Sequence, residues 1–228
     1  MKKIVSIIIA VVVVIGIAVL LLIGFKNNKN DSNQNNDKEN TNKNTESTEE
    51  VGSIKDNSIY FVNINGTKFK AGDKISSVSK VNLKQKDKDL DEKIPKNRYL
   101  LSKSVVNSDN KEICKFVPLN STDSTITVKD SVIGGFEVGE INYNKISNET
   151  LSYNIEIVGG IKLGSSYDDI VRVFGKEDTK YESKTDEKYN MPSYTVYDYS
   201  SGYKGFSFTI DDSGKLSKIE WNDYNYDE

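Results

Sequence analysis

The residues best placed to do chemistry in this chain of 228 are two adjacent aspartates, Asp168 and Asp169, inside "GIKLGSSYDDIVRVFGKED" (160–178). Two carboxylates side by side could act as proton donor and acceptor or hold a metal ion. Adjacent residues on a helix point about 100° apart, however, and no third ligand stands near them in sequence. A second acidic stretch, Asp211-Asp212-Ser213-Gly214, lacks the alternating ligands and distal glutamate of an EF-hand and reads as a turn. Cys114, in "EICKFVPL", shares a β-like run with Ile113 and Phe116 and reads as a buried small hydrophobe rather than a reactive thiol.

Composition removes whole classes of activity. The chain has no histidine and one cysteine, so a Ser-His-Asp site, a Cys-His site and a zinc site built on His or Cys are all out of reach. A net charge of −3 with no clustered basic stretch in the folded part argues against nucleic acid. No cofactor and no metal are expected. The 34 acidic residues leave open a carboxylate-dependent cell-surface hydrolase, whose acid and nucleophile would lie about 5 to 10 Å apart.

The elements around the aspartate pair explain it as architecture. Ser165 or Ser166 can cap a helix while Asp168 or Asp169 completes a capping box and favours the helix dipole. Tyr167, Ile170, Val171 and Phe174 then form one apolar stripe, and Gly175 stands where a left-handed cap belongs. Downstream, "GFSFTI" puts Phe206, Phe208 and Ile210 on one strand face, and Ile219 and Trp221 share a face beyond the turn, which predicts a hairpin against that helix. "FKAGDKISSVSKV" (69–81) aligns without gaps on "IKLGSSYDDIVRV" (161–173), superposing Gly72 on Gly164, Ile75 on Tyr167, Val78 on Ile170 and Val81 on Val173. Both copies are followed by alternating, strand-like runs.

The first fifty residues set the location. Ile4 to Phe25 carries no charge over 22 residues, and as a helix it would span roughly 33 Å, matching a hydrocarbon core of about 30 Å. The run is too long for a signal peptide, no small-x-small site follows it, and no cysteine stands after it for lipid attachment. Lys2, Lys3 and the amino terminus favour a cytoplasmic start with the body outside. Lys26 to Glu50 contains no apolar residue and reads as a solvated linker. The predicted fold class is therefore α+β: an N-terminal transmembrane helix (1–25), a disordered Asn/Lys/Glu-rich linker (26–54), and two tandem helix-plus-antiparallel-sheet units, 55–157 and 158–228.

The phrases "I-x-L-G-S-S-x-D-D-I-x-x-x-F-G" and "G-F-S-F-x-I-D-D-x-G-K-L-x-x-I" make the second half resemble the small domains of the β-lactamase-inhibitory-protein-like and SmpA/OmlA (BamE-type) kind, found in surface proteins of Gram-positive bacteria. The resemblance implies a helical segment packed on a small antiparallel sheet whose other face binds protein. The single cysteine leaves the disulfides of the inhibitory protein without a counterpart, and no partner-contacting residue is carried across. The expected function is a single-pass, membrane-anchored extracellular binding or scaffolding protein without catalytic activity. Its partners would be the cell membrane, through residues 4–25, and another surface or envelope protein. The candidate binding residues are Tyr194, Tyr197, Tyr199 and Tyr203 on an aromatic sheet face, because eight of the 13 tyrosines fall between Tyr181 and Tyr226 and tyrosine is enriched at recognition surfaces. The excess of acids in the same region, 14 against 8 bases from Ser165 to Glu228, suits a neutral or basic partner.

Overall fold

The computed structural model of the chain describes residues 53–189 and 191–224. The apolar segment 4–25, and the linker apart from its last two residues, lie outside the described residues; among those described, no helix is long and apolar enough to cross a membrane.

The first half supplies β1 (Phe61–Ile64), β2 (Thr67–Lys70), a 3-10 helix over Ile75–Val81, β3 (Lys84–Gln85), β4 (Lys93–Ile94), β5 (Arg98–Tyr99), β6 (Lys103–Val106), β7 (Glu112–Asn120), β8 (Ile126–Thr127) and β9 (Val132–Gly139). Helix α1 (Asn148–Ser152) and strand β10 (Ile155–Glu156) follow, then helix α2 (Tyr167–Phe174) and strands β11 (Thr179–Ser183), β12 (Tyr194–Ser201), β13 (Lys204–Asp211) and β14 (Leu216–Asp223). Strands β10, β1 and β2 make a small antiparallel sheet, and β4 pairs with β8. All the rest belong to one antiparallel sheet in the order β11-β12-β13-β14-β9-β7-β6-β3, with β5 also paired to β7.

This corrects the expected α+β class and its two tandem units. Strand accounts for 42% of the described residues and helix for 22%, and only the five residues of α1 and the eight of α2 are α-helical; the protein is mostly β. The halves also do not keep separate sheets. Each contributes an antiparallel meander of four strands, and the two meanders join through their last strands, β14 and β9, over five residue pairs from Lys218↔Gly139 to Asn222↔Gly135. Joining removes two exposed sheet edges and merges two small cores into one that buries more of its surface. The shared core is visible as a run of ring contacts: Phe69–Phe116 (6.4 Å), Phe116–Phe136 (5.8 Å), Phe136–Trp221 (6.2 Å), Trp221–Tyr60 (6.1 Å) and Tyr60–Phe206 (4.9 Å).

The sequence echo has a local counterpart. Gly72 and Gly164 both hold positive φ, 86° and 90°. Gly72 donates its N–H to Ile133 at the start of β9, and Gly164 donates to Leu216 at the start of β14, each at 2.8 Å. Ile133 and Leu216 donate back to Asp73 and Ser165, again at 2.8 Å. The helices that follow differ. Ile75–Val81 has no side-chain cap at Lys74 and stays 3-10, consistent with its serines and β-branched residues. α2 has a complete cap and is α-helical.

Candidate functional site

Of the aspartate pair, Asp169 caps helix α2 and Asp168 is an exposed acid of its first turn. Ser166 Oγ accepts from the Asp169 N–H (3.2 Å), and Asp169 Oδ2 accepts from the Ser166 N–H (2.9 Å), closing the capping box at the start of α2. The hydrogen bonds from Ser166, with Arg172 at 3.2 Å, hold the Asp169 carboxyl below the usual range. The far end departs from expectation: Gly175 has φ 75° but ψ −153°, an extended mirror-image conformation that glycine alone adopts readily, not a left-handed helical cap. Ile170 and Val173 are buried, and Phe174 packs on Phe206, Phe208 and Tyr199 at 4.9, 5.2 and 5.3 Å. Asp211 is a turn former, its carboxylate accepting from the backbone N–H groups of Tyr143 (2.9 Å), Ser213 (2.9 Å) and Lys215 (3.3 Å). Cys114 is buried, and burial pushes its thiol up. Among the described residues no group of three or more His, Cys, Asp or Glu is arranged to hold a metal ion.

The four candidate tyrosines do not come together. Tyr199 is in the core, 2% exposed, its hydroxyl donating to the Gly175 carbonyl at 3.1 Å. Tyr197 lies half-buried beneath α2, its ring 4.4 Å from that of Tyr167. Tyr194 points to the opposite face, beside Asp211 and Asp212 in an open concavity of about 420 Å³. Tyr203, in the β12–β13 turn, is exposed, and its carbonyl accepts from Asn222 Nδ2 at 2.7 Å. The sequence shows which tyrosines alternate along β12, but not that α2 covers the side carrying Tyr197 and Tyr199.

What does come together is on the face of the sheet away from the core. Register alone aligns one residue from each of seven neighbouring strands: Thr179, Asp198, Ser207, Glu220, Glu137, Lys115 and Ser104. Each is hydroxyl-bearing or charged, and each keeps partial or full exposure. At the centre, Glu137 accepts from Ser102 Oγ (3.0 Å) and Lys115 Nζ (3.0 Å) and pairs with Lys218 (3.3 Å), which in turn meets Glu220 at 3.0 Å. Burial would raise the Glu137 carboxyl, but Lys218, Lys115 and Ser102 outweigh it and hold it below the usual range. Burial would lower Lys115 and Lys218, and their carboxylate partners hold both above the ordinary lysine value.

Asp198, three strands away along the row, behaves in the opposite way. Burial pushes its carboxyl up, and hydrogen bonds from Ser207 and Thr179 offset only part of the effect. A carboxylate raised by burial is a feature that acid–base catalysts share. Asp198 and Glu220 line neither the concavity beside Tyr194 nor a second of about 140 Å³ near Lys115 and Glu137. An exposed aromatic, Tyr181 on β11, 60% exposed, stands at one end of the row; a second, Tyr99 on β5, lies off the row, its ring stacked 4.3 Å from that of Tyr224 just beyond β14.

The sequence carries one signal for these residues. Lys115, Glu137, Ser207 and Glu220 each stand between two buried residues in a strand, the spacing of a polar outer face. Which strands are neighbours, and so which of these side chains meet, is a matter of topology. No model of a known protein family, no curated protein and no solved structure matches the chain.

Proposed function

We propose that the protein is an extracellular binding or scaffolding module, held at the cell membrane by residues 4–25 with its amino terminus in the cytoplasm, and that the outer face of its sheet takes another surface or envelope protein. The observation that supports this most is the seven-strand polar row with the exposed ring of Tyr181 at one end. Six interstrand steps at about 4.8 Å make it roughly 29 Å wide, the scale of a protein footprint rather than of a small ligand. Its side chains are already hydrogen-bonded and paired, so the surface is pre-organised for a partner. Glu112, Glu137, Asp198 and Glu220 stand against Lys115 and Lys218 there, which favours a neutral or basic partner whose association weakens with salt. The resemblance of residues 160–219 to domains whose sheet face binds protein points the same way.

Photo-cross-linking on intact cells tests the surface. A cross-linker in place of Ser207, on the outer face, is expected to capture a defined protein, and one in place of Arg172, exposed on α2, is not. Capture from Arg172 and none from Ser207 would move the binding surface to the helical side. Protease applied to wall-stripped cells is expected to cut within Lys26–Glu50 and release the body; a body protected until lysis would reverse the orientation.

A further inference from the structure

The nine-stranded sheet has two unequal ends. At one, β3 offers only two residues, and Lys84 is tied to Asp87 at 3.0 Å. At the other, β11 presents five residues, four of them exposed, and among the described residues pairs only with β12. A strand of that length with a free edge is a template for another strand.

The sequence of β11, Thr179-Lys180-Tyr181-Glu182-Ser183, is complementary to its own reverse. We propose that a second copy of this chain pairs antiparallel with β11 about a two-fold axis through Tyr181, so that one sheet runs through both copies. In that register Tyr181 lies opposite the second copy's Tyr181. Lys180 lies opposite its Glu182, Glu182 opposite its Lys180, and Thr179 opposite its Ser183. Each of these is a favourable cross-strand combination: aromatic on aromatic, cation on anion, hydroxyl on hydroxyl. An edge guarded against pairing carries lysine, proline or a bulge; here the lysine is balanced by a glutamate the same distance from the centre. A two-fold interface requires such self-complementarity, whereas pairing with an unrelated strand does not. Lys180 and Glu182 already meet within one strand at 2.6 Å, with side chains 43% and 66% exposed, so both heads are open to a facing chain. Five residues a side are about a quarter or less of the roughly 20–30 a side in a standard interface, which makes the dimer a weak, concentration-dependent one.

Charge reversal in the full-length chain, solubilised in detergent and followed by sedimentation velocity, tests the register. Lys180→Glu alone places two like-charged pairs across the axis, as does Glu182→Lys alone. Each is expected to weaken dimerisation about tenfold or more. An equimolar mixture of the two single variants is expected to regain the dimer, because each then finds opposite charges only on the other. Loss of the intramolecular Lys180–Glu182 pair cannot be repaired by mixing, so this result separates contact between copies from a local structural role. Tyr181→Cys provides a covalent trap for the weak dimer, and it reports position 181 alone because Cys114 is buried. Oxidation is expected to give a band of doubled mass that vanishes in the Lys180→Glu background. A wild-type chain that stays monomeric at all concentrations and leaves Tyr181→Cys untrapped would overturn the proposal. So would a dimer indifferent to both reversals, or a mixture that remains monomeric.

Discussion

The two faces of the large sheet are built from residues one position apart and do opposite work. Lys115 precedes Phe116, Phe136 precedes Glu137, Ser207 precedes Phe208 and Glu220 precedes Trp221. The aromatic member of each pair is buried and the polar member keeps partial exposure. The inner face gathers apolar surface from both halves of the chain and supplies the driving force for folding. The outer face holds a network whose charges are half-buried, where desolvation cancels much of what their attraction contributes. A polar arrangement that adds little stability yet crosses seven strands in register fits the recognition role proposed above.

The contrast can be broken at three points, in falling order of expected effect. Trp221→Ala on the inner face should cost about 3–5 kcal/mol, read as a drop in the denaturant midpoint. Trp221 is 2% exposed and its Nε1 finds no hydrogen-bond partner among the described residues, so the loss reports packing with no hydrogen bond broken. A cost below about 1 kcal/mol would mean that the shared core is not what holds the two halves together.

Glu137→Ala on the outer face should cost less, about 1–3 kcal/mol at neutral pH, because it leaves Lys115 and Lys218 partly desolvated without their common carboxylate. The side chains of Glu137, Lys218 and Lys115 are 17%, 22% and 31% exposed, which places the network between surface and buried pairs. The Glu137 carboxyl is lowered on folding, so its contribution is present above the unfolded value of about 4.3 and is lost as pH falls through the lower folded value. Lys115 and Lys218 are raised on folding, so theirs is present below about pH 10.4 and is lost as pH rises through the folded value. The difference between wild type and Glu137→Ala should therefore stay level through the neutral range and shrink below about pH 4; a difference that grew on acidification would contradict the ionic account.

Asp198→Asn should give the smallest effect, with the opposite sign. Burial raises the Asp198 carboxyl, so the folded state favours the protonated form below about pH 3.9 and loses that advantage as pH rises through the folded value. Asparagine removes the charge and keeps an acceptor for Ser207 and Thr179. The variant should be more stable than wild type by less than about 1 kcal/mol at about pH 7 and equal to it near about pH 3. Destabilisation at neutral pH would show that Asp198 is paired after all.

Local order is legible in the residues themselves. The Ser166–Asp169 capping box, the alternation of Phe206, Phe208 and Ile210, and the turn at Asp211 are each determined within a few residues, by hydrogen bonds and side-chain periodicity that depend on near neighbours. The alignment of Gly72 on Gly164 also points to a real likeness, since both glycines open the same reciprocal pair of hydrogen bonds. The unusual ψ of Gly175 is not legible in this way, since glycine is equally at home in the left-handed helical cap that its position suggests.

By itself, then, the sequence determined the capping box at Ser166, the turn at Asp211, the polar–apolar alternation and the absence of histidine chemistry, all of which follow from residue type and short spacing. The tertiary structure decided that β14 pairs with β9, that α2 covers the side of β12 bearing Tyr197 and Tyr199, and that Asp198, Glu220, Glu137 and Lys115 fall in one row. Those residues lie as far apart as Lys115 and Glu220 in sequence. Strands carry the same local pattern whichever neighbour they take, so only the closing of one common core selects the partners and aligns the row.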